Sequence, residues 1–148
     1  MNKKEKAIYL VRHGIVKKFP SQDEFEESGI SFAENLDKIL HLDKVDFIAY
    51  VDGKNRCKKT VEKLALINGI VSKPYSSGKY RNLIPYNDAL KFDVSVICYG
   101  ITEIENLLRK LKIEFKHKNE LYEYIYKINF ENNNTVEKIT TGYSKRDN

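Results

Sequence analysis

The sequence predicts an α/β fold: a three-layer α/β/α sandwich with a mostly parallel sheet and a C-terminal β-hairpin. Three observations predict it. Short apolar runs at 6–12, 45–51 and 93–100 have the near-continuous character of strands buried on both faces. Each run is followed by apolar residues at helical spacing, so strand and helix alternate three times. The tail then changes to aromatic and β-branched residues around a polar turn, which is hairpin composition.

The elements follow in order. Residues 6–12 form the first strand, and the polar stretch 15–28, with Pro20, forms a loop. A helix over about 29–41 carries Ala33, Leu36, Ile39 and Leu40 on one face, and Ser31 with Glu34 fits a capping box. "VDFIAYV" (45–51) is the second strand, broken by Asp52 and Gly53. The helix over 55–67 places Val61, Leu64 and Ile67 together. Residues 70–92 contain Pro74, Gly78 and Pro85 with little periodicity. They read as irregular, with a short strand near 71–75. "DVSVICYG" (93–100) is the third buried strand. Thr102 and Glu105 form a second capping box, and Ile104, Leu107, Leu108 and Leu111 carry a helix to about Lys112. "LYEYIYKINF" (121–130) and "TVEKITT" (135–141) flank "ENNN" and form the hairpin.

Composition bounds the function. At 148 residues the chain is expected to be one domain over 1–148, with its last few residues frayed. Hydrophobic residues at 41% and charges of both signs at 32% fit a globular chain. No apolar run approaches membrane-spanning length, and "AIYLV" is too short for a signal-peptide core. A cytoplasmic protein without membrane association is expected. Cys57 and Cys98 make neither a disulfide framework nor zinc spacing, so no metal or cofactor is implied. The net charge of +5 comes mostly from lysine and allows an anionic ligand. No stacking or helix-turn-helix motif points to nucleic acid.

In open parallel sheets, ligands bind beyond the carboxyl ends of the strands. The first strand delivers Arg12, His13 and Gly14 there. The second delivers Asp52, Gly53 and, at the next helix start, Arg56. The third delivers Cys98, Tyr99 and Gly100. Only five arginines exist, and two of them fall past neighbouring strand ends. Arginine forks, glycine turns and helix N-termini together describe a dianion pocket. A histidine among them can be a nucleophile toward phosphorus. Plainer readings stand beside these. His13 can be a satisfied polar group at a strand end, and Arg12 and Arg56 can be surface ion-pair partners. Tyr99 can be packing or a hydrogen-bond donor. Cys57 reads as a small buried residue. His41, His117 and the Lys54–Lys63 cluster read as solvated. Glu105 reads as a cap, and Glu103 is a candidate proton donor.

"YLVRHG" (9–14) resembles the signature of the histidine phosphatase superfamily, whose fold is phosphoglycerate-mutase-like. The likeness continues. "ESGISFAENLDKIL" (27–40) is similar to the family's L-x-x-x-G-x-x-Q-A-x-x-L helix, with Gly29 and Ala33 in register. "YVDGKNRCKKTVEKL" (50–64) is similar to Y-S-S-x-x-x-R-A-x-x-T-A-x-x-L, placing Arg56 on the second phosphate-binding arginine and Thr60 on the motif threonine. "VSVICYGITEIENLLRKL" (94–111) is similar to V-x-V-V-S-H-G-x-x-I-R-x-L-L. The resemblance covers about residues 6–112. It implies that His13 attacks phosphorus and becomes a transient phosphohistidine, with Arg12 on the phosphoryl oxygens. The site departs from the pattern. Tyr99 replaces the second catalytic histidine, Cys98 the serine before it, and Val51–Asp52 the serine pair. Residues 70–92 are short and hold Asp88 but no glutamate, where many members carry an acid in a long insertion.

The resemblance therefore implies a small, slow, metal-free phosphatase acting on phosphohistidine or a phosphomonoester through His13. Arg12, Arg56, Gly14 and Gly100 would bind phosphate. Tyr99 would serve as a weaker donor, because a neutral phenol lacks the charge of an imidazolium. Size and the missing insertion match the short phosphohistidine phosphatases. The partner is then a small phosphorylated substrate or a phosphoprotein. A pseudophosphatase that binds a phosphorylated ligand or a protein without turnover is the alternative. A third reading makes the tyrosine-rich hairpin a protein-contact surface. Asp52, close to the expected phosphate, is read as a helix cap or a partner of Arg56.

Overall fold

The computed structural model describes residues 6–13, 27–52, 55–76, 83–114, 123–131 and 135–142. The strands are β1 (Ala7–Arg12), β2 (Phe47–Asp52), β3 (Lys73–Ser76), β4 (Val94–Tyr99), β5 (Tyr124–Asn129) and β6 (Thr135–Thr140). The helices are α1 (Glu27–Leu40), α2 (Asn55–Asn68), α3 (Leu83–Ala89) and α4 (Ile101–Lys110). One six-stranded sheet runs β3-β2-β4-β1-β5-β6. Its first four strands are parallel, and the β5–β6 hairpin joins β1 antiparallel. This is the mixed α/β architecture that the alternation of patterns predicts.

Strand alternation divides the core in two. Tyr9, Val11, Ile48, Val96 and Cys98 face one way and bury Phe32, Leu36 and Leu40 of α1 with Cys57, Val61 and Leu64 of α2. Ile8, Leu10, Ala49, Ile97 and Tyr99 face the other way, against Tyr86 and Ala89 of α3 and Ile104, Leu107 and Leu108 of α4. Successive connections step along the sheet in one direction through α1 and α2, then back through α3. Right-handed crossovers place such reversals on opposite faces. No helix among the described residues is long and apolar enough to cross a membrane.

Four local readings change. First, α1 starts at Glu27, so Ser31 lies inside it. The Asn35 side-chain amide donates to the Ser31 carbonyl at 2.8 Å, and no capping box forms at Ser31. Second, the supposedly irregular 70–92 contains α3 as well as β3. Pro85 occupies the first turn of α3, where a missing N–H costs nothing. Third, the α4 cap is Gly100 with Glu103, not Thr102 with Glu105. Fourth, one described tyrosine of the hairpin faces the core rather than solvent. Tyr126 is buried in the second core and Tyr124 is half-buried, with the Lys138 ammonium 5.3 Å from its ring centre.

Candidate functional site

In sheet order β4 stands between β1 and β2. The helices that follow β1 and β2 lie on one face, and the helix that follows β4 lies on the other. The carboxyl ends of these three strands therefore border a topological switch point, the place where open α/β sheets bind ligands. The register fixes what lines it. Arg12 pairs with Tyr99 across β1 and β4. Directly paired residues share a face, so Arg12 lies on the α3/α4 side. His13 follows at the strand end and is 5% exposed.

Tyr99 is fully buried among Ile97, Tyr86 and Ala89. Burial raises its phenol well above the ordinary tyrosine value, and the charge of Glu103 and the nearby Tyr75 add to that rise. The Tyr86 backbone amide hydrogen-bonds its oxygen and opposes the rise. The group is a neutral phenol held by the core.

Arg56 is half-exposed in the first turn of α2. Its carbonyl accepts a 2.6 Å hydrogen bond from the Thr60 hydroxyl. Thr60 is fully buried and, with Cys57, contacts the Cys98 thiol. A threonine back-bond thus fastens the first turn of α2. Two thiols then seat that turn on the last residues of β4. This brings Arg56 to the same end of the sheet as Arg12, His13 and Tyr99. Gly14, Gly53, Lys54, His117 and the side chain of Asp52 lie outside the described residues.

The end of β4 carries its own acid. Glu103 Oε1 accepts the Gly100 N–H at 3.1 Å, satisfying one of the free donors at the start of α4. A carboxylate there is also favoured by the helix dipole. Glu103→Ala is expected to destabilise the protein by about 1 kcal/mol in urea unfolding. An unchanged midpoint would show that the contact contributes nothing. Glu105 is buried instead, with one oxygen 3.8 Å from the Arg109 guanidinium.

A second polar pair was not legible in the sequence. The Tyr75 hydroxyl, at the end of β3, donates to Asp88 of α3 at 2.6 Å. That bond holds the Asp88 carboxyl below its usual range, assisted by Lys91 and Lys73. Burial and Asp88 push the Tyr75 phenol up. Asp88 is therefore an ionised acceptor at neutral pH. The signal that could have found the pair is the helical spacing of Leu83, Tyr86 and Ala89, which puts Asp88 one residue from a buried position. No cluster of three or more potential metal ligands occurs among the described residues.

No protein-family model and no curated protein matches this sequence. Solved structures do match in fold. A mycobacterial glucosyl-3-phosphoglycerate phosphatase aligns with a TM-score of 0.60 at 13% identity, over 91% of this chain and 97% of that one. Phosphoglycerate mutase from Plasmodium falciparum aligns at 0.56 and 18% identity, over 91% and 92%. A candidate SixA phosphohistidine phosphatase from Agrobacterium tumefaciens aligns at 0.50 and 16% identity, over 90% and 95%. The chain has the phosphoglycerate-mutase-like fold of the histidine phosphatases.

Proposed function

We propose that the protein is a small phosphatase that takes a phosphoryl group onto His13 and passes it to water. The observation that carries this reading is the paired register of Arg12 and Tyr99. Arg12, the residue before His13, ends β1 at the switch point, and α2 packs against β4 in the same core cluster. An imidazole nitrogen of His13 attacks phosphorus, the P–N bond forms and the leaving group departs. Water then attacks the phosphohistidine, releasing phosphate and restoring His13. Arg12 and Arg56 hold the phosphoryl oxygens, and Gly14 contributes close backbone approach. The Gly100 amide is already engaged by Glu103. Phosphate contact at Gly100 therefore requires Glu103 to swing away, and Glu103 released in this way is the candidate proton donor.

The residues favour a leaving group that needs little proton assistance. Asp88 is ionised and tied to Tyr75, and Tyr99 supplies no positive charge. Phosphohistidine, whose leaving group is an imidazole, fits this better than an alkyl phosphate. One observation favours the pseudophosphatase reading. Tyr99 stands fully buried where the resemblance puts the second histidine, so turnover would rest on His13 and the arginines.

Orthovanadate binding and phosphate release from phosphoramidate test the proposal together. Arg56 is half-exposed, so Arg56→Ala is expected to leave the fold intact. It should weaken vanadate binding roughly 10- to 100-fold, the loss of one charge-assisted contact of about 1.5–3 kcal/mol. Binding with release identifies a phosphatase. Binding without release identifies the pseudophosphatase. Equal affinity in both proteins removes Arg56 from the site.

A further inference from the structure

The phosphoryl-transfer scheme uses neither cysteine, yet the fold brings the two together. Cys98 is the penultimate residue of β4 and points to the α1/α2 face. Cys57 lies in the first turn of α2, directly after Arg56. Both are free thiols and both are buried, Cys98 completely and Cys57 to within 4%. They share one apolar cluster where α2 packs on β4, and the Cys57 side chain adds to burial in raising the Cys98 thiol. Forty-one positions of sequence separate them, so only the packing of α2 on β4 produces the pair.

We propose that Cys57 and Cys98 are a dithiol modification site, which a peroxide-class oxidant closes to an intramolecular disulfide that loosens anion binding at the neighbouring switch point. The chemistry balances in two steps. The Cys57 sulfur attacks a peroxide oxygen and breaks the O–O bond, giving a sulfenic acid and one water. The Cys98 sulfur then attacks the Cys57 sulfur and displaces the second water. Two thiols are oxidised, one hydrogen peroxide is reduced, and a dithiol reductant reverses the result. Cys57 is the first target because it retains a little exposure, whereas Cys98 has none. Burial also holds the Cys98 thiol protonated, which suits it to resolve the sulfenic acid rather than to meet the oxidant.

The disulfide would draw the two sulfurs to covalent distance. The displacement falls on the first turn of α2 and the end of β4. The residue before Cys57 is Arg56, and the residue after Cys98 is Tyr99, the register partner of Arg12. An apolar contact between two aliphatic side chains would pack the same interface without this sensitivity. The effect on anion binding rests on the proposed phosphoryl site, whereas the bond itself does not.

The test treats the native full chain with hydrogen peroxide, alkylates remaining thiols with N-ethylmaleimide under denaturing conditions, and measures intact mass. Orthovanadate affinity is measured before and after. The expected result is a loss of about 2 Da with no alkylation, matching removal of two thiol hydrogens. Cys57→Ser and Cys98→Ser should each keep the remaining thiol and lose that species. Vanadate affinity should fall at least tenfold on oxidation and return with dithiothreitol. Two alkylated thiols, oxygen adducts or an intermolecular dimer would overturn the couple, and this readout on the natural chain does not depend on how well the variants fold. A disulfide with unchanged vanadate affinity would overturn the switch. Reduced protein that binds no vanadate would sink the phosphoryl-site reading instead, while the mass still decides the couple.

Discussion

His13→Ala is expected to abolish phosphate release from phosphoramidate, lowering the rate by on the order of 10³-fold or more to the uncatalysed background. The size follows from the role. A group that forms the covalent intermediate cannot be replaced by its neighbours, and removal of a nucleophile elsewhere in enzymology costs as much as removal of the whole catalytic set. His13 sits one residue past the end of β1, outside the strand ladder. The substitution therefore leaves the β1–β4 pairing in place, and circular dichroism should be unchanged. His13→Gln guards against a folding defect, because it keeps hydrogen-bonding capacity without nucleophilicity. Release that persists at the natural rate in both variants would remove His13 from the chemistry. Colorimetric phosphate detection over a range of protein concentrations is sufficient to see either result.

The second large effect is on stability. Tyr99→Ala is expected to destabilise the protein by about 3–5 kcal/mol, as for other large aromatic deletions in a packed core. Tyr99 is among the largest fully buried side chains, and it fills the space between β4 and α3. Its loss leaves a cavity and strips the Tyr86 amide of its acceptor. At this chain length the thermal midpoint should fall by roughly 10 °C. A loss under about 1 kcal/mol would mean that the ring contributes little to packing. The same burial explains why Tyr99 is a poor stand-in for a catalytic imidazole. A side chain that holds a core together is not free to follow a moving phosphoryl group.

Much of this was legible in the sequence, for identifiable reasons. The strands were visible because burial on both faces makes their apolar runs nearly continuous. The α2 helix and the β5–β6 hairpin fell within a few residues of their expected bounds, since their periodicities are strong. Arg12, His13 and Tyr99 were gathered by one topological rule, and the Arg12–Tyr99 register brings those strand ends together. What escaped detection was set by tertiary contact. Ser31 carries a good capping signature, but the buried face of Phe32, Ala33 and Leu36 continues back to Gly29, so α1 begins a turn earlier. Thr102 and Glu105 match the capping-box signature better than Gly100 and Glu103 do, since glycine has no side chain to accept a bond. Only the burial of Glu105 and the bond from Glu103 to the Gly100 amide decide between them. Pro85 masked α3 because sequence alone does not show that it falls in a first turn. The Tyr75–Asp88 bond and the Cys57–Cys98 contact join separate elements, so no local pattern announces them.

The measurement that bears most directly on the central claim is capture of the intermediate. The protein and its His13→Ala variant would be incubated with radiolabelled acetyl phosphate, quenched in alkali, and assayed for protein-bound phosphate that is stable to base and labile to acid. The account predicts label on the natural protein, located at residue 13, lost with time as phosphate is released, and absent from the variant. Equal labelling of both proteins, or none on either, would contradict a phosphoryl group carried by His13.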